Sequence, residues 1–497
     1  MGCFAHFAMS KRDRSPSAGQ ARWHQGLPGP CYYSPSPPFP MLKTQALRKP
    51  DNPGLAVVPP LTEEARQDLI GRSALRKASL RLLPLIGLGY GIAYMDRVNV
   101  SFAALQMNRQ LNFSATVFGL GAGLFFLSYA ACEVPSNLLL MRFGARRWLA
   151  RIMVTWGLIS MAMIFVRTPV EFCVMRLLLG TAEAGFFPGV IFYLMQWFPA
   201  GQRAKAVSRF YIAWPLSSTV MGALAGWLMH QDGRMHLAGW QWLLLAEGLP
   251  AVLMSVVFLL GLPDSPVKAR WLTEDERAWI LRKLMEESET RGHGKHGLAE
   301  AFGDPRVWLL GGFFFCVLLA SYGYAFSAPA LVQQVTGLST TLVGFIIAGL
   351  GVAGALAMLG NGWDSDRTGE RFWHIVTPLV MMAAGYVMVG LSVSPLIVLP
   401  ALVLVVAGNA AVQGPVWTIP AEFLQGKSAA AGVATINMIG ILGGFVGPYW
   451  MGVSKDATGT LQRGLLTIAV PGLLAAGLMV ILWRKWPPGS MALRAEL

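Results

Sequence analysis

Residues 87–105 read "GLGYGIAYMDRVNVSFAAL". The run is long and apolar enough to cross a bilayer, yet Asp96 and Arg97 stand side by side near its middle. On insertion scales each such charge costs about 2.5–3.5 kcal/mol at a bilayer centre. A helix that only anchors would carry aliphatic residues there. A charge kept at that cost is read first as a functional group with a partner inside the protein.

The rest of the chain has the same character. It is 54% hydrophobic and 13% charged, with a mean hydropathy of +0.49, whereas soluble domains sit near about 25% charged. Twelve apolar runs of spanning length lie near residues 80–103, 118–140, 148–165, 170–198, 204–229, 240–262, 307–330, 340–363, 372–391, 395–424, 428–450 and 465–483. Spans four and ten are long, which points to tilt or an interfacial turn. The expected fold class is an all-α membrane protein with twelve transmembrane helices in two pseudo-symmetric six-helix bundles.

A formal charge of +14 invites a nucleic-acid reading, but its distribution excludes one. Basic residues cluster on alternate sides of the spans: Arg72, Arg76, Lys77 and Arg81, then Arg142, Arg146 and Arg147, then Arg203, Lys205 and Arg209. Lys268, Arg282, Arg367, Arg371, Arg484 and Lys485 continue that side, while the other has only scattered Arg109, Arg167, Arg234, Lys455 and Arg463. The positive-inside rule places both termini and the long central loop in the cytoplasm of a bacterial inner-membrane protein. Of the five cysteines, Cys132, Cys173 and Cys316 fall in spans and are expected as buried, inert thiols. Cys3 and Cys31 lie in a polar tail, and no pair has metal-ligand spacing.

Composition divides the chain into a Pro/Ser/Gly-rich tail at 1–60, expected to be disordered, and an amphipathic lead-in at 61–78. A six-helix bundle follows at 79–262, a linker at 263–306, a second bundle at 307–485 and a short tail at 486–497. Met41 is a second candidate start. In the linker, Thr273 and Glu276 have the spacing of a capping box, and Trp279, Ile280 and Leu284 favour an amphipathic helix on the inner surface. The stretch "TRGHGKHG" around Gly292 reads as flexible.

An internal repeat supports the split. "NLLLMRFGARR" (137–147) follows span two and "GWDSDRTGERF" (362–372) follows span eight; both fit Gly-x-x-x-Asp-Arg-x-Gly-x-Arg, the second better. Arg142 and Arg367 are equivalent, and Met141 replaces the acid of the first copy. Two related halves with a cavity between them are a transporter architecture.

Four further stretches, "YMDRVNVSFAALQMN" (94–108), "EVPSNLLLMRFGARRW" (133–148), "RLLLGTAEAGFFPGVIFYL" (176–194) and "LPDSPVKARWLTEDER" (262–277), make the chain resemble the major facilitator superfamily, and within it the anion:cation symporter family. The resemblance covers roughly residues 78–485. It implies a proton-coupled importer of an organic anion, such as tartrate, phthalate or a sugar acid. It also implies that Arg97 and Arg176 supply positive charge to the anion path, that Asp96 and Glu183 carry proton coupling, and that Tyr129 and Asn437 face the cavity.

The residues themselves agree in part. Tyr90, Tyr94 and Arg97 share a helical face and form a plausible carboxylate cradle, while Asp96 points about 100° away. The competing reading of Asp96 and Arg97 is a structural ion pair. Arg176 and Glu183 are two turns apart on a face made close-packing by Gly180, Ala182, Ala184 and Gly185, so packing competes with coupling for Glu183. Asp96, adjacent to Arg97, is expected to stay ionised beside it, and Glu183 to be the more desolvated acid. Glu133 is expected to shape its helix near the cytoplasmic end, or to serve the first-half latch in place of the acid missing at Met141. Asn409, Gln413 and Trp417 form a polar stripe on span ten, with Gln413 and Trp417 as substrate contacts; Tyr322 and Tyr324 are weaker candidates. Arg142, Arg146, Asp366 and Arg367 read as gating residues, Asp366 with Arg367 pairing across the bundles, although lipid head groups would suit the loop arginines equally.

No P-loop, zinc motif or nucleophile elbow occurs, so an enzyme is not expected. No cofactor is expected beyond a coupling proton, and the expected partners are a small organic anion and the bilayer, with the protein a monomer. A drug/proton antiporter is the alternative; span five, "YIAWPLSSTVMGALAGWLM" (211–229), lacks the Gly-Pro of that group, and Gly447-Pro448 falls in span eleven. A receptor would need a signalling domain that the tail "RKWPPGSMALRAEL" is too short to be.

Overall fold

The computed structural model describes residues 62–290, 302–423 and 426–487. The expectations for the tail at 1–60, the flexible stretch around residue 292 and the last residues of the C-terminal tail lie outside the described residues. Every described element is a helix, with no strand among the described residues, and twelve spans are long and apolar enough to cross a membrane.

The first half contains α1 (Glu63–Gln110), α2 (Ala115–Phe143), α3 (Ala145–Ala162), α4 (Pro169–Glu183), α5 (Phe186–Met195), α6 (Ala200–Tyr211), α7 (Ala213–Met229) and α8 (Gly239–Gly261). Then come α9 (Glu274–Thr290) in the linker and α10 (Pro305–Thr336), α11 (Thr340–Thr368), α12 (Trp373–Leu391), α13 (Pro395–Val416), α14 (Ile419–Phe423), α15 (Gly426–Thr458) and α16 (Leu461–Lys485). Two hydrophobic cores result, one built around Trp156, Trp197 and Phe258, the other around Phe313, Tyr386 and Met479.

Three local features depart from the sequence reading. The lead-in is not separate: α1 runs unbroken for 48 residues from a Thr62 cap into the first span. Span four is long because it is two helices joined by a turn within the span. α4 ends at Glu183, and the chain turns at Gly185, whose φ of +85° disfavours a side chain, before α5 begins. The thiols of Cys132, Cys173 and Cys316 are free but only partly buried.

The linker helix forms as read. The Glu276 N–H donates to Thr273 Oγ1 at 3.3 Å, and the Thr273 N–H donates to the Glu276 carboxylate at 2.9 Å. That carboxylate also accepts from the Ser73 hydroxyl at 2.6 Å and pairs with Lys77 at 2.8 Å, both on α1. Burial alone would raise its pKa, but the Lys77, Ser73 and Thr273 hydrogen bonds outweigh burial and hold it at about 2. Trp279 packs over Gly71, and Arg203 pairs with Glu287 at 3.0 Å, so α9 is strapped to the first half.

An even number of spans puts Thr62 and Pro487 on one face, the basic face that also carries α9. On the opposite face the halves close on each other. A Cβ on Gly123 of α2 would stand 2.6 Å from the Phe445 carbonyl oxygen of α15, and one on Gly444 would stand 2.7 Å from the Phe126 ring. α7 meets α11 the same way at Gly222 and Gly344, and Thr341 donates to the Gly226 carbonyl at 3.1 Å. Small residues allow this backbone approach, as in membrane bundles generally. The α2 N-terminus is capped by its own Ser114, which accepts from the Val117 N–H at 3.2 Å. Asp456 of α15 caps it a second time from the other half, accepting from the Ala115 N–H at 3.1 Å and the Thr116 N–H at 2.7 Å.

Candidate functional site

Asp96 and Arg97 face different neighbours, as adjacent helix positions must. Arg97 forms an ion pair with Glu183 at the end of α4 and donates to the Tyr322 hydroxyl of α10 at 3.3 Å, so it touches both halves. Its guanidinium lies 5.4 Å from the Phe125 ring centroid and 5.2 Å from that of Tyr129. Arg176 of α4 is wholly buried, 4.8 Å from the same Phe125 ring. None of its three nitrogens donates to a protein acceptor. Its electrostatic partners are Asp96 and Glu183.

Asp96 is also wholly buried and turns toward α3, where it accepts from the Ser160 hydroxyl; it also accepts from the Asn99 amide of its own helix at 3.4 Å. Its second oxygen has no donor. The two residues thus have separate partners, as their 100° separation allows, and the partner of Arg97 that the sequence did not name is Glu183. Glu183, not Asp96, holds Arg97, because the break after Glu183 lets its side chain reach α1 while Asp96 points into the first bundle.

Beside this cluster is a cavity of about 170 Å³ between the halves, its wall including Tyr94, Tyr211, Trp214, Tyr322, Asn409 and Gln413. Tyr322 joins the two regions, since it lines the cavity and accepts from Arg97. Asn409 accepts from Ser321 at 2.5 Å. Tyr129 is buried against Arg97. Trp417 is not part of this wall; its ring packs 4.4 Å from that of Phe314. Asn437 donates to Glu133 at 3.1 Å and 3.3 Å. Glu133 is thus a buried bridge between α2 and α15 and not a helix-shaping residue near the basic face.

The loop residues are placed apart from the cavity. Arg142 stacks on Phe143 and Arg367 on Trp363, with guanidinium-to-ring distances of 5.7 Å and 5.3 Å. Asp366 pairs with Arg371 at 2.7 Å within its own loop and not across the bundles. The Arg146 N–H donates to Asp264 at 3.2 Å, which caps the start of α3. On the closed face a cleft of about 380 Å³ lies over the seam, with Arg109, Phe118, Ser327 and Lys455 in its walls.

Two acids escaped the sequence reading. Glu247 of α8 is buried at 4% exposure with neither oxygen in hydrogen-bond geometry with a donor. It is the one acid in a span of mean hydropathy 2.3, a signal as strong as that of Asp96. Asp456 sits near a span end, where nothing local shows that its partner is 340 residues away.

Comparison with known proteins matches this architecture. Residues 86–448 fit the family model of the Major Facilitator Superfamily. A protein of Agrobacterium vitis named "Putative tartrate transporter" is 47% identical over 413 residues, covering 83% of this chain and 92% of the relative. A quinolone resistance transporter of Acinetobacter baumannii is 38% identical, covering 83% of this chain and 96% of that one. Among solved structures, a bacterial homolog of the human lysosomal transporter Spinster superposes with a TM-score of 0.69 at 16% identity, over 83% of this chain and 99% of that chain. The xylose transporter XylE of E. coli gives 0.66 at 15%, over 82% and 99%. Twelve spans in two halves, a cavity between them and a family match over most of the chain lead to one assignment: the protein belongs to the Major Facilitator Superfamily, and it is a membrane transporter, not an enzyme.

Proposed function

We propose that the chain imports an organic dicarboxylate of the hydroxy-acid class, tartrate or a close analogue, in symport with protons across the bacterial inner membrane, with the basic face cytoplasmic. The observation that carries this reading is Arg176, a fully buried guanidinium without an acceptor, beside Arg97, whose acceptor is a titratable acid. Two relatives at 47% and 46% identity that bear the tartrate name support the choice of anion.

The charges suggest the coupling. Asp96, Arg97, Arg176 and Glu183 sum to zero when both acids are ionised. Protonating Glu183 removes the charge that holds Arg97 and frees its planar fork for a carboxylate. Protonating Asp96 removes one of the two acids that balance Arg176. Two protons thus expose two cations, which match the two carboxylates of a dianion. Tyr94, Tyr322, Asn409 and Gln413 offer hydrogen bonds for hydroxyl groups nearby. A dianion entering against an inside-negative potential meets about 4.6 kcal/mol per 100 mV, and two accompanying protons cancel that opposition. Arg97 spans both halves, so its release couples binding to their relative motion.

A second reading, proton-driven efflux of an aromatic compound, is favoured by the aromatic cavity wall and the quinolone-resistance relative. Proteoliposomes with an imposed pH gradient separate the two. The expected result is accumulation of labelled tartrate, acid side to alkaline side, with tartrate affinity abolished in Arg97→Ala and Arg176→Ala and reduced about tenfold or more in the Lys variants. Folded Ala variants that bind tartrate as well as the native protein overturn the anion site. Gradient-driven quinolone movement in the opposite direction, without tartrate uptake, establishes the second reading.

A further inference from the structure

Two buried acids within the spans stand outside the charge scheme above, Glu133 and Glu247; Glu133 has the Asn437 amide as donor, and Glu247 has none in hydrogen-bond geometry. α8 and α3 approach most closely at Gly157 and Gly248, where a Cβ on either would stand 2.7 Å from the other's carbonyl oxygen. That contact brings Glu247, one residue before Gly248, to the level of Ser160, less than one turn beyond Gly157. Ser160 donates to Asp96, and Asn99 both donates to Asp96 and interacts with Glu247. Glu247 and Asp96 also interact directly through their charges. Three of the four carboxyl oxygens of these two residues have no protein donor in hydrogen-bond geometry.

Among the helices packed on α8, α1 supplies Asp96 as the ionisable group facing Glu247; α3 contributes the Ser160 hydroxyl and α7 no charged side chain. The remaining charges of the cluster, Arg97, Arg176 and Glu183, lie beyond Asp96. Counted with Glu247, the cluster has three acids against two guanidiniums, so full ionisation would leave a net negative charge inside an apolar bundle. Burying an ion without a partner costs several kcal/mol, and two interacting carboxyl groups titrate as a unit.

We propose that Glu247 and Asp96 form a proton-binding dyad within the first half, in which Glu247 holds the proton that Asp96 exchanges during transport. The proton leaves a Glu247 oxygen and bonds to the Asp96 oxygen that has no donor; Glu247 becomes the carboxylate and Asp96 the neutral acid. Asp96 thereby stops balancing Arg176, and Arg176 takes up substrate. The proposal rests on the proton-symport reading above and adds the group that supplies its second proton.

The test is the number of protons moved per anion, measured in proteoliposomes as the tartrate accumulation ratio against imposed pH gradients. Glu247→Gln keeps the shape and removes the titrating group. It is expected to slow tartrate exchange at equal pH without abolishing it, because Asp96 then balances Arg176 for longer, and to lose one proton per anion, a fall in accumulation ratio of about tenfold for each unit of pH gradient. Glu247→Asp is expected to restore the native ratio. Native accumulation in Glu247→Gln overturns the proposal. So does loss of exchange in Glu247→Gln, which makes the residue structural, and so does a native protein driven by a sodium gradient that Glu247→Gln abolishes. A native protein driven by neither gradient instead overturns the symport reading itself, so the two failures are distinguishable.

Discussion

Replacing Asp456 by Asn should loosen the closed face. Its carboxylate accepts two N–H groups at the start of α2, at 2.7 Å and 3.1 Å, and both donors belong to the other half. A charged acceptor at a helix N-terminus is worth about 0.5–2 kcal/mol as a cap plus about 0.3–1 kcal/mol from the helix dipole. The site is solvent-exposed, which favours the lower end, and Asn keeps part of the cap. A net loss of about 0.3–1 kcal/mol then shifts the equilibrium between closed and open states about 2–5-fold toward opening at this face. Ser327 lines the cleft over the seam and is only 6% exposed, so its accessibility reports that opening. In a background lacking the native cysteines, Ser327→Cys should react with a membrane-impermeant thiol reagent faster by the same factor once Asp456→Asn is added. An unchanged rate in a folded protein would refute the argument and place the closing energy in the glycine contacts alone.

Those contacts carry their own expectation: Gly444→Leu drives a side chain into the Phe126 ring, so it should abolish tartrate exchange and raise Ser327→Cys labelling while expression is retained. Docking of α9 should depend on acid pH. The Glu276 carboxyl is held at about 2 against an ordinary 4.5, so its contribution is complete above about pH 5 and is lost as pH falls through about 2. The shift corresponds to about 3 kcal/mol at most, and about 1–2 kcal/mol once screening of the 41%-exposed Lys77 is allowed for. Limited proteolysis of α9 in detergent should therefore accelerate between pH 5 and 3, and Glu276→Gln should show the fast rate already at pH 7. Native-like protection of that variant would count against the ion pair as the strap.

What could be read in the sequence was what local rules control. Spans follow from hydropathy, and the Thr273–Glu276 box from its spacing. The partner of Arg97 was not legible because it depends on a helix break. In "TAEAGFFPG" both Gly185 and Pro188 could interrupt a helix, and only the backbone turning at Gly185 frees Glu183 to cross to α1. The partner of Glu133 was not legible for a related reason. One turn from Tyr129 on an apolar helix, Glu133 gives no hint that Asn437 of the other half is its donor. The cation-rich centre was visible in Arg97 and Arg176 and part of the polar wall in the Asn409–Gln413 stripe, whereas that Tyr322 reaches Arg97 required knowing which faces of α1 and α10 meet.

The interruption of span four at Glu183 also sets a field. Beyond Gly180, whose carbonyl accepts from the Ala184 N–H, the last carbonyls of α4 have no helical partner and carry roughly half an elementary negative charge at the helix end that bears Glu183, the partner of Arg97. That partial charge is part of the backbone and cannot be protonated. When Glu183 is neutralised, the peptide groups still favour a cation there by about 0.3–1 kcal/mol, and more where the geometry is buried. Arg97 is thus kept at its post while its side-chain partner changes, so an arriving carboxylate meets a cation that is already in position. A chain that ran helically through residues 184 and 185 would satisfy those carbonyls and remove the anchor, leaving Arg97 to follow whichever acid remained ionised.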